Sequence, residues 1–142
     1  MLLPSQVTAS RSAELKASQA RVFQTVTNIE EQTEWRKDIK SVRVHPSGKS
    51  WTEETTAGTI IDFEVRHKEQ NVRFDIEFVS KQGFSGSWVR VFIPSSNGTM
   101  VQITETIEIQ NPIFRVMSRI FGFTDKFIDT YLTQLKEAVE NR

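Results

Sequence analysis

The sequence predicts an α+β fold in which a strongly curved antiparallel sheet wraps around one long C-terminal helix. Within residues 39–109, apolar and polar residues alternate along successive segments, the period of antiparallel strands with one wet face. Short turns rich in glycine, proline, serine and asparagine separate these segments, which favours a meander over alternating β/α units. Residues 111–142 repeat apolar residues every three or four positions, the period of one helical face. Such a face must be buried against another layer, and the strands supply it.

The chain is predicted to begin with a strand over residues 7–17, followed by two short helices. Ser18 is placed to cap the first of these, over residues 19–27. Asn28 and the glutamate three positions later have the spacing of a capping box for the second helix, which ends near Trp35. The buried face of the first helix is expected to consist of Ala20, Phe23 and Val26 or Val22.

A meander of six strands is predicted next. Its strands are expected at residues 39–45, 50–56, 59–67, 71–80, 85–93 and 99–109. From the alternation, the side chains facing the helix should be Ile61, Phe63, Val65, Phe74, Ile76, Phe78, Val101, Ile103 and Ile107.

Strand 85–93 leaves two orientations open, because both of its faces carry large apolar residues. One orientation buries Trp88, Arg90 and Phe92, and the other buries the aliphatic residues that alternate with them. We favour the first, since a tryptophan and a phenylalanine facing solvent would expose much apolar surface.

The C-terminal helix is predicted to start at Asn111 and Pro112, a capping side chain followed by proline at the first helical position. Gly122 lies inside the apolar pattern, where glycine costs about 1 kcal/mol relative to alanine, so a kink or break is expected near it. The apolar stripe of this helix comprises Ile113, Phe114, Met117, Ile120, Phe121, Phe127, Ile128, Tyr131, Leu132, Leu135, Ala138 and Val139.

Composition limits the classes of protein that the chain can belong to. Its 142 residues fit one domain, residues 1–142, with a core large enough to be stable without disulfides or a structural metal. Eighteen basic residues balance eighteen acidic ones, which argues against nucleic-acid binding. The chain has no cysteine and no metal-ligand or phosphate-loop motif, so no metal and no cofactor are expected. Ten phenylalanines against one tyrosine indicate a dry core or an apolar pocket.

The start of the chain bears on its location. No apolar run approaches the ~20 residues that a membrane helix needs, so no transmembrane segment is expected in this chain. The stretch from Met1 to Pro4 is too short to be a signal peptide. The expected location is therefore cytoplasmic.

The order of these elements and several local motifs resemble the START-related helix-grip superfamily (SRPBCC), in its polyketide cyclase/dehydrase-like branch. The resemblance extends from about Val7 to Glu140. The motifs that carry it are Leu15-Lys16-Ala17-Ser18 through Val22-Phe23, Trp35, Gly98-Thr99 with Val101, Asn111-Pro112-Ile113-Phe114-Arg115, and Tyr131-Leu132 with Leu135.

The resemblance implies a helix-grip fold with a hollow between sheet and helix that holds an apolar small molecule. Members of the superfamily include cyclases, dehydratases and lipid carriers, so the fold defines a site but not a reaction. Relatives of this branch often carry a membrane-spanning segment just before a Leu-Leu-Pro-like stretch. Residues 1–5 are therefore either a frayed terminus or the remnant of such a junction, and the second alternative would mean a membrane-tethered protein.

The leading hypothesis is a non-enzymatic binder or carrier of a lipid, fatty acid or polyketide-like compound. Any one of the inward residues could equally be plain core, and Tyr131 is more readily explained as core than as a ligand contact. The candidate ligand-binding residues are Trp35, Phe63, Phe74, Ile76, Phe78, Trp88, Phe92, Ile103, Met117, Ile120, Phe121, Phe127 and Tyr131.

The alternative hypothesis is a metal-free cyclase or dehydratase. Its acid/base candidates are Glu105, Arg90, His67 and Tyr131. Arg90 and Glu105 both have inward parity, and since buried charges must be paired, they form either a structural tie or the polar end of the pocket. His67 shares the inward parity of Ile61, but without an identified partner it is a weak catalytic candidate.

A third hypothesis is an interaction module. The apolar residues of segment 113–123 point nearly all round a helix, more than one sheet can cover, so packing on a partner or a homodimer is expected under this hypothesis.

Overall fold

The structure, a computed structural model, describes the backbone of residues 6–110 and 123–140 and the side chains of residues 6–110 and 126–140. The helices are α1 (Gln19–Thr27), α2 (Gln32–Trp35), which follows a 3-10 turn (Ile29–Glu31), and α3 (Phe123–Glu140). The strands are β1 (Gln6–Leu15), β2 (Ile39–Val44), β3 (Ser50–Thr55), β4 (Ile60–Glu69), β5 (Arg73–Ser80), β6 (Phe84–Ser95) and β7 (Gly98–Ile109).

The seven strands form one antiparallel sheet in the order β1-β7-β6-β5-β4-β3-β2. The meander predicted from the alternation is confirmed, because β2 to β7 are neighbours in the order in which the chain makes them. The first strand returns to pair with the last one, from Gln6 opposite Glu108 to Leu15 opposite Thr99. The two short helices between β1 and β2 therefore bridge the two edges of the sheet.

The inner face of the sheet packs on the helices, and its residues are mostly those that the alternation predicts. Phe74, Ile76, Val101, Ile103 and Ile107 are all at most 4% exposed. They share one core with α1 and α3, or lie in an adjoining apolar cluster.

The orientation of β6 is the favoured one. Arg90 is 4% exposed and Phe92 is 1% exposed, whereas Ile93 on the opposite face is 40% exposed. The strand therefore points Trp88 and Arg90 toward Tyr131 of α3 and Phe92 toward Phe23 of α1, with its aliphatic residues on the other face.

Gly86 allows a close approach at the centre of the sheet. It lies opposite Phe78 on one side and Ile107 on the other. A Cβ added there would lie 2.3 Å from the carbonyl oxygen of Thr106 and 2.8 Å from Cζ of Phe78. Only a residue without a side chain lets the Phe78 ring lie across this strand.

Helix α1 is where it was predicted, and Ser18 caps it by accepting a hydrogen bond from the backbone N–H of Arg21. Its buried face differs from the predicted one at Ala20, which is exposed, whereas Val22, Phe23 and Val26 are all buried. The predicted capping box is wrong, since the side chain of Asn28 makes no cap hydrogen bond and a 3-10 turn precedes the short α2.

Helix α3 buries the predicted stripe over the part that the structure describes. The residues of that stripe that are at most 7% exposed are Ile128, Tyr131, Leu132, Leu135, Ala138 and Val139. The predicted start at Asn111 and Pro112 and the expected break at Gly122 lie outside the described residues.

Among the helices in the described part of the chain, none is long and apolar enough to cross a membrane.

Candidate functional site

A hollow lies between the inner face of the sheet and the helices, and it encloses about 70 Å³. Its wall combines a majority of aromatic and aliphatic side chains with a minority of polar and charged ones. The apolar lining consists of Val26, Ile29, Ile39, Trp51, Ile61, Phe63, Ile76, Phe78, Phe84, Trp88, Ile107, Phe127 and Tyr131. The polar lining within the described residues consists of Gln32, Arg36, Asp38, Glu53, Thr55, Arg90 and Glu105.

The candidate ligand-binding residues fall into three groups. Those on the wall of the hollow are Phe63, Ile76, Phe78, Trp88, Phe127 and Tyr131. Those packed in the closed core are Phe74, Phe92, Ile103 and Trp35, the last also lining a separate groove beside α1. Those outside the described residues are Met117, Ile120 and Phe121.

Arg90 is the most deeply buried cation of the hollow, at 4% exposed. Its Nη1 donates to the hydroxyl of Tyr131 at 2.9 Å, and its Nε reaches the carbonyl of Phe74 only at 3.5 Å. The guanidinium also lies over the rings of Phe74, Trp88 and Tyr131, at 4.8, 5.6 and 5.6 Å from their centroids. Its Nη2 is buried and has no hydrogen-bond partner among the described residues.

Glu105 faces the same hollow from β7 and is 3% exposed. It lies directly opposite Trp88 in the register of β6 and β7, and its Oε2 accepts the indole N–H of that tryptophan. The expected direct pairing of Arg90 with Glu105 is therefore wrong, because the ion pairs of the described residues do not include it. The reason is positional: Oε2 of Glu105 accepts the indole N–H of Trp88 opposite it, while Nη1 of Arg90 donates to the hydroxyl of Tyr131 on α3.

A second charged cluster, which the sequence pattern did not predict, lies across the hollow. Glu53 on β3 is 2% exposed, and both of its carboxylate oxygens accept from Nη1 of Arg36 at 3.2 Å. Its Oε2 also accepts the indole N–H of Trp51 at 3.0 Å. Nη2 of Arg36 lies 3.9 Å from Asp38, so two carboxylates compensate this cation. Glu53 could have been found, because it shares the inward parity of Trp51.

Tyr131 joins the two clusters. Its ring stands edge-on to Trp88 and Trp35, at centroid distances of 4.9 and 5.5 Å. The guanidinium carbons of Arg36 and Arg90 each lie 5.6 Å from its centroid. Since the hydroxyl oxygen accepts from Arg90, the hydroxyl proton remains available to donate.

The two histidines lie outside this site. The predicted inward orientation of His67 is wrong: the register of β4 and β5 shifts between Val65 and His67, and this bulge reverses the parity of the strand. The His67 side chain is 53% exposed and lies 3.6 Å from Glu69. His45, expected to be exposed, is half-buried and bonded through Nδ1 to the Ser50 hydroxyl at 2.9 Å.

The arrangement brings three of the four acid/base candidates together. Arg90 and Tyr131 present two donors on one wall, namely a guanidinium N–H and a phenol O–H. Glu105 lines the same hollow as an acceptor. Donors of this kind can hold an oxygen of a bound molecule and stabilise negative charge that develops on it.

An antiparallel sheet wrapped around a C-terminal helix, with two short helices after the first strand and an apolar hollow between the layers, defines the START-related helix-grip class. Solved structures of low identity have the same fold. A START superfamily protein from Mycobacterium smegmatis is 16% identical with a TM-score of 0.76, and the match covers 93% of this chain and 96% of that one. A protein from Rhizobium leguminosarum is 19% identical with a TM-score of 0.71, covering 96% of both chains. A conserved protein from Geobacillus kaustophilus is 16% identical with a TM-score of 0.72, covering 94% and 95%.

The sequence profile of the family described as polyketide cyclase/dehydrase and lipid transport matches residues 6–140. The chain belongs to that family. A search of curated proteins found no match. Membership supports a role in binding a hydrophobic ligand.

Proposed function

We propose that this protein binds or carries an apolar small molecule, of the lipid, fatty acid or polyketide-like kind, in the hollow between the sheet and α3. The observation that carries the proposal is the wall itself, where aromatic and aliphatic side chains from several strands and helices converge on one concave surface. Ligand sites have this composition, apolar with a few placed polar groups.

The size of the hollow limits how a ligand enters. Pockets for drug-sized ligands measure about 300–1,000 Å³, and this hollow encloses about 70 Å³. A lipid-sized ligand therefore requires wall side chains to move, whereas a compact ring or short chain requires less. Phe63 and Trp88 are only partly buried, so they are among the wall side chains that can move to admit a ligand.

The test begins with denaturing extraction of the purified protein and mass spectrometry of what is released. A discrete apolar compound in near-stoichiometric amount would support the proposal and name the ligand class. In parallel, the neutral dye Nile red is titrated and then displaced with decanoic acid or octanol.

Matched variants locate the binding site. Phe63→Glu introduces a charge on the wall. It should abolish dye binding, because the new carboxylate would have to be desolvated when a ligand enters. Val79→Glu introduces the same charge on the outer face, where Val79 is 53% exposed, and should leave binding unchanged. No binding by the parent protein, or equal loss in both variants, would contradict the proposal.

The second candidate function is a metal-free cyclase or dehydratase, and the contact between Arg90 and Tyr131 favours it. Two acid/base candidates lie within hydrogen-bond distance at the wall, as this function requires. In a dehydration, Glu105 would take the α-proton of a β-hydroxy ketone, and the two donors would stabilise the enolate oxygen. The hydroxyl group would then leave as water with the proton returned from Glu105.

This activity is tested with 4-hydroxy-4-phenylbutan-2-one, whose loss of water forms a conjugated enone that absorbs in the near ultraviolet. The parent protein should accelerate enone formation, and Glu105→Gln and Tyr131→Phe should each reduce the rate by about 10²–10⁴-fold. A rate equal to that in buffer would reject this candidate and leave the carrier proposal standing.

Self-association remains a prediction from the sequence. Residues 113–122 of the apolar segment lie outside the described residues, and the side chain of residue 123 is not described either, so the structure adds no contact to this prediction. Sedimentation velocity at high protein concentration would show a dimer if the prediction is correct and only monomer if it is wrong.

A further inference from the structure

The buried guanidinium of Arg90 indicates what kind of polar group the ligand carries, an inference that rests on the proposed function. Arg90 lines the hollow at 4% exposed, and its Nη2 has no partner in the described part of the chain. Buried polar groups are almost always hydrogen-bonded, and leaving a charged donor unsatisfied costs more than leaving a neutral one.

Tyr131 provides a second donor beside the first. Its hydroxyl oxygen accepts from Nη1 of Arg90 at 2.9 Å, so its proton is free to donate elsewhere. Both residues line the hollow. A single acceptor oxygen between them would be bonded twice.

The charges that face the hollow decide whether that oxygen belongs to an anion or to a neutral group. Among the described residues that line the hollow, two arginines, Arg36 and Arg90, are set against three carboxylates, those of Asp38, Glu53 and Glu105. With these five groups ionised, carboxylates outnumber cations by one in this part of the lining. A carboxylate ligand would add a second negative charge near Glu105 in a poorly solvated space, where like charges repel more strongly than in water. A neutral carbonyl oxygen satisfies the donors without this penalty.

We propose that the ligand carries a neutral carbonyl group, such as a ketone or enone, whose oxygen accepts from Nη2 of Arg90 and from the hydroxyl of Tyr131. The apolar body of the ligand lies against the aromatic part of the wall. The hollow thus selects carbonyl compounds over hydrocarbons by hydrogen bonding and over carboxylates by charge.

Three compact probes with similar apolar bodies separate these alternatives: acetophenone, ethylbenzene and benzoate at pH 7.5. Their affinities for the parent protein are measured by NMR titration. Acetophenone should bind about 10- to 100-fold more tightly than ethylbenzene, the factor expected for hydrogen bonds from a charged donor. Benzoate should bind more weakly than acetophenone.

Variants assign the effect to the two donors. Arg90→Met should reduce the preference for acetophenone over ethylbenzene to about onefold while leaving ethylbenzene binding intact. Tyr131→Phe should reduce the preference partially. Arg66→Met serves as the control, because Arg66 is exposed and pairs with Glu77 away from the hollow.

A spectroscopic measurement on the parent protein keeps the test independent of variants that fail to fold. The carbonyl stretching frequency of bound acetophenone should fall relative to that in an apolar solvent, because the oxygen accepts hydrogen bonds. Equal binding of ketone and hydrocarbon, or no frequency shift, would overturn the carbonyl proposal while apolar binding stands. Tighter binding of benzoate than of acetophenone would overturn the choice of a neutral group. No binding of any probe would overturn the proposed function as well.

Discussion

Replacing Arg90 by methionine removes a buried charge and keeps most of the side-chain volume, and we expect the variant to be as stable as the parent protein or more stable. The favourable contacts of Arg90 are one good hydrogen bond, to Tyr131, and cation–π contacts with three rings. A hydrogen bond from a charged donor contributes about 1.5–3 kcal/mol. Cation–π contacts contribute about 0.5–2 kcal/mol each, and they share one cation, so their sum is smaller than their number suggests.

The unfavourable contributions of Arg90 to the free energy of folding are at least as large. Burying an ion costs several kcal/mol even after relaxation, of the order of 3–5 kcal/mol for an uncompensated one. The unpartnered Nη2 adds roughly 1–3 kcal/mol. Since apolar replacements of buried charges are often neutral or stabilising, we expect the unfolding free energy of Arg90→Met to change by between about 0 and +2 kcal/mol.

The assay is thermal and urea unfolding of the ligand-free protein, followed by circular dichroism. A gain of this size would raise Tm by up to roughly 6 °C, at about 3 °C per kcal/mol for a chain of this length. Arg90→Ala is the matched contrast, because it removes the same charge but leaves a void, and it should be less stable than Arg90→Met. Destabilisation of Arg90→Met by more than about 2 kcal/mol would refute the reasoning and assign Arg90 a structural role.

Further predictions concern the scaffold and its pH dependence. Gly86→Ala should destabilise the protein by about 1–3 kcal/mol in urea unfolding, because the new Cβ would lie 2.3 Å from the Thr106 carbonyl oxygen; an unchanged midpoint would contradict the close approach. Ser18→Ala should cost about 0.5–2 kcal/mol through loss of the α1 cap, whereas Ser18→Asp should retain most of the stability. The pKa of Glu140 is lowered chiefly by a hydrogen bond from the backbone N–H of Lys16, so its contribution to stability is present above its unfolded-state pKa and is lost as the pH falls through the lower folded-state pKa. Unfolding of Glu140→Gln should therefore differ from that of the parent at pH 7 and converge with it toward pH 3, and a difference that persists at pH 3 would contradict this assignment.

The sheet and its inward face could be predicted because strand alternation depends only on sequence. Each residue two positions along a strand returns to the same face, so the parity of Phe74 or Ile103 follows directly from the pattern. The same rule placed Glu105 on the inner face, whereas for Arg90 it left two orientations open, and the choice between them rested on the cost of exposing Trp88 and Phe92. It fails where the period itself is interrupted, as at His67, because a bulge leaves no mark in the alternation of a short polar strand end.

The partners of the buried charges could not be predicted in this way. Which residue Arg90 contacts depends on how α3 docks on the sheet, and the helical pattern fixes the face of Tyr131 but not its depth over β6. Arg36 follows the last residue of α2, so its position depends on the path of a loop. The resemblance to a known superfamily predicted the hollow, but it did not predict the two charged clusters that line it.

The two arginines that line the hollow differ in what compensates their charges, and this difference separates structure from function. Arg36 has two carboxylates within 4 Å, and Glu53 accepts from it through both oxygens, so its charge is compensated by the protein itself. Arg90 has three aromatic rings, one of them the phenol that accepts its hydrogen bond, and one distant carbonyl, all of them neutral. A protein that needed Arg90 only for packing would be served as well by methionine, at no cost in stability. The charge of Arg90 is therefore explained by a role as a hydrogen-bond donor to a ligand. This role predicts both outcomes for Arg90→Met, an undiminished stability and the loss of the preference for a ketone.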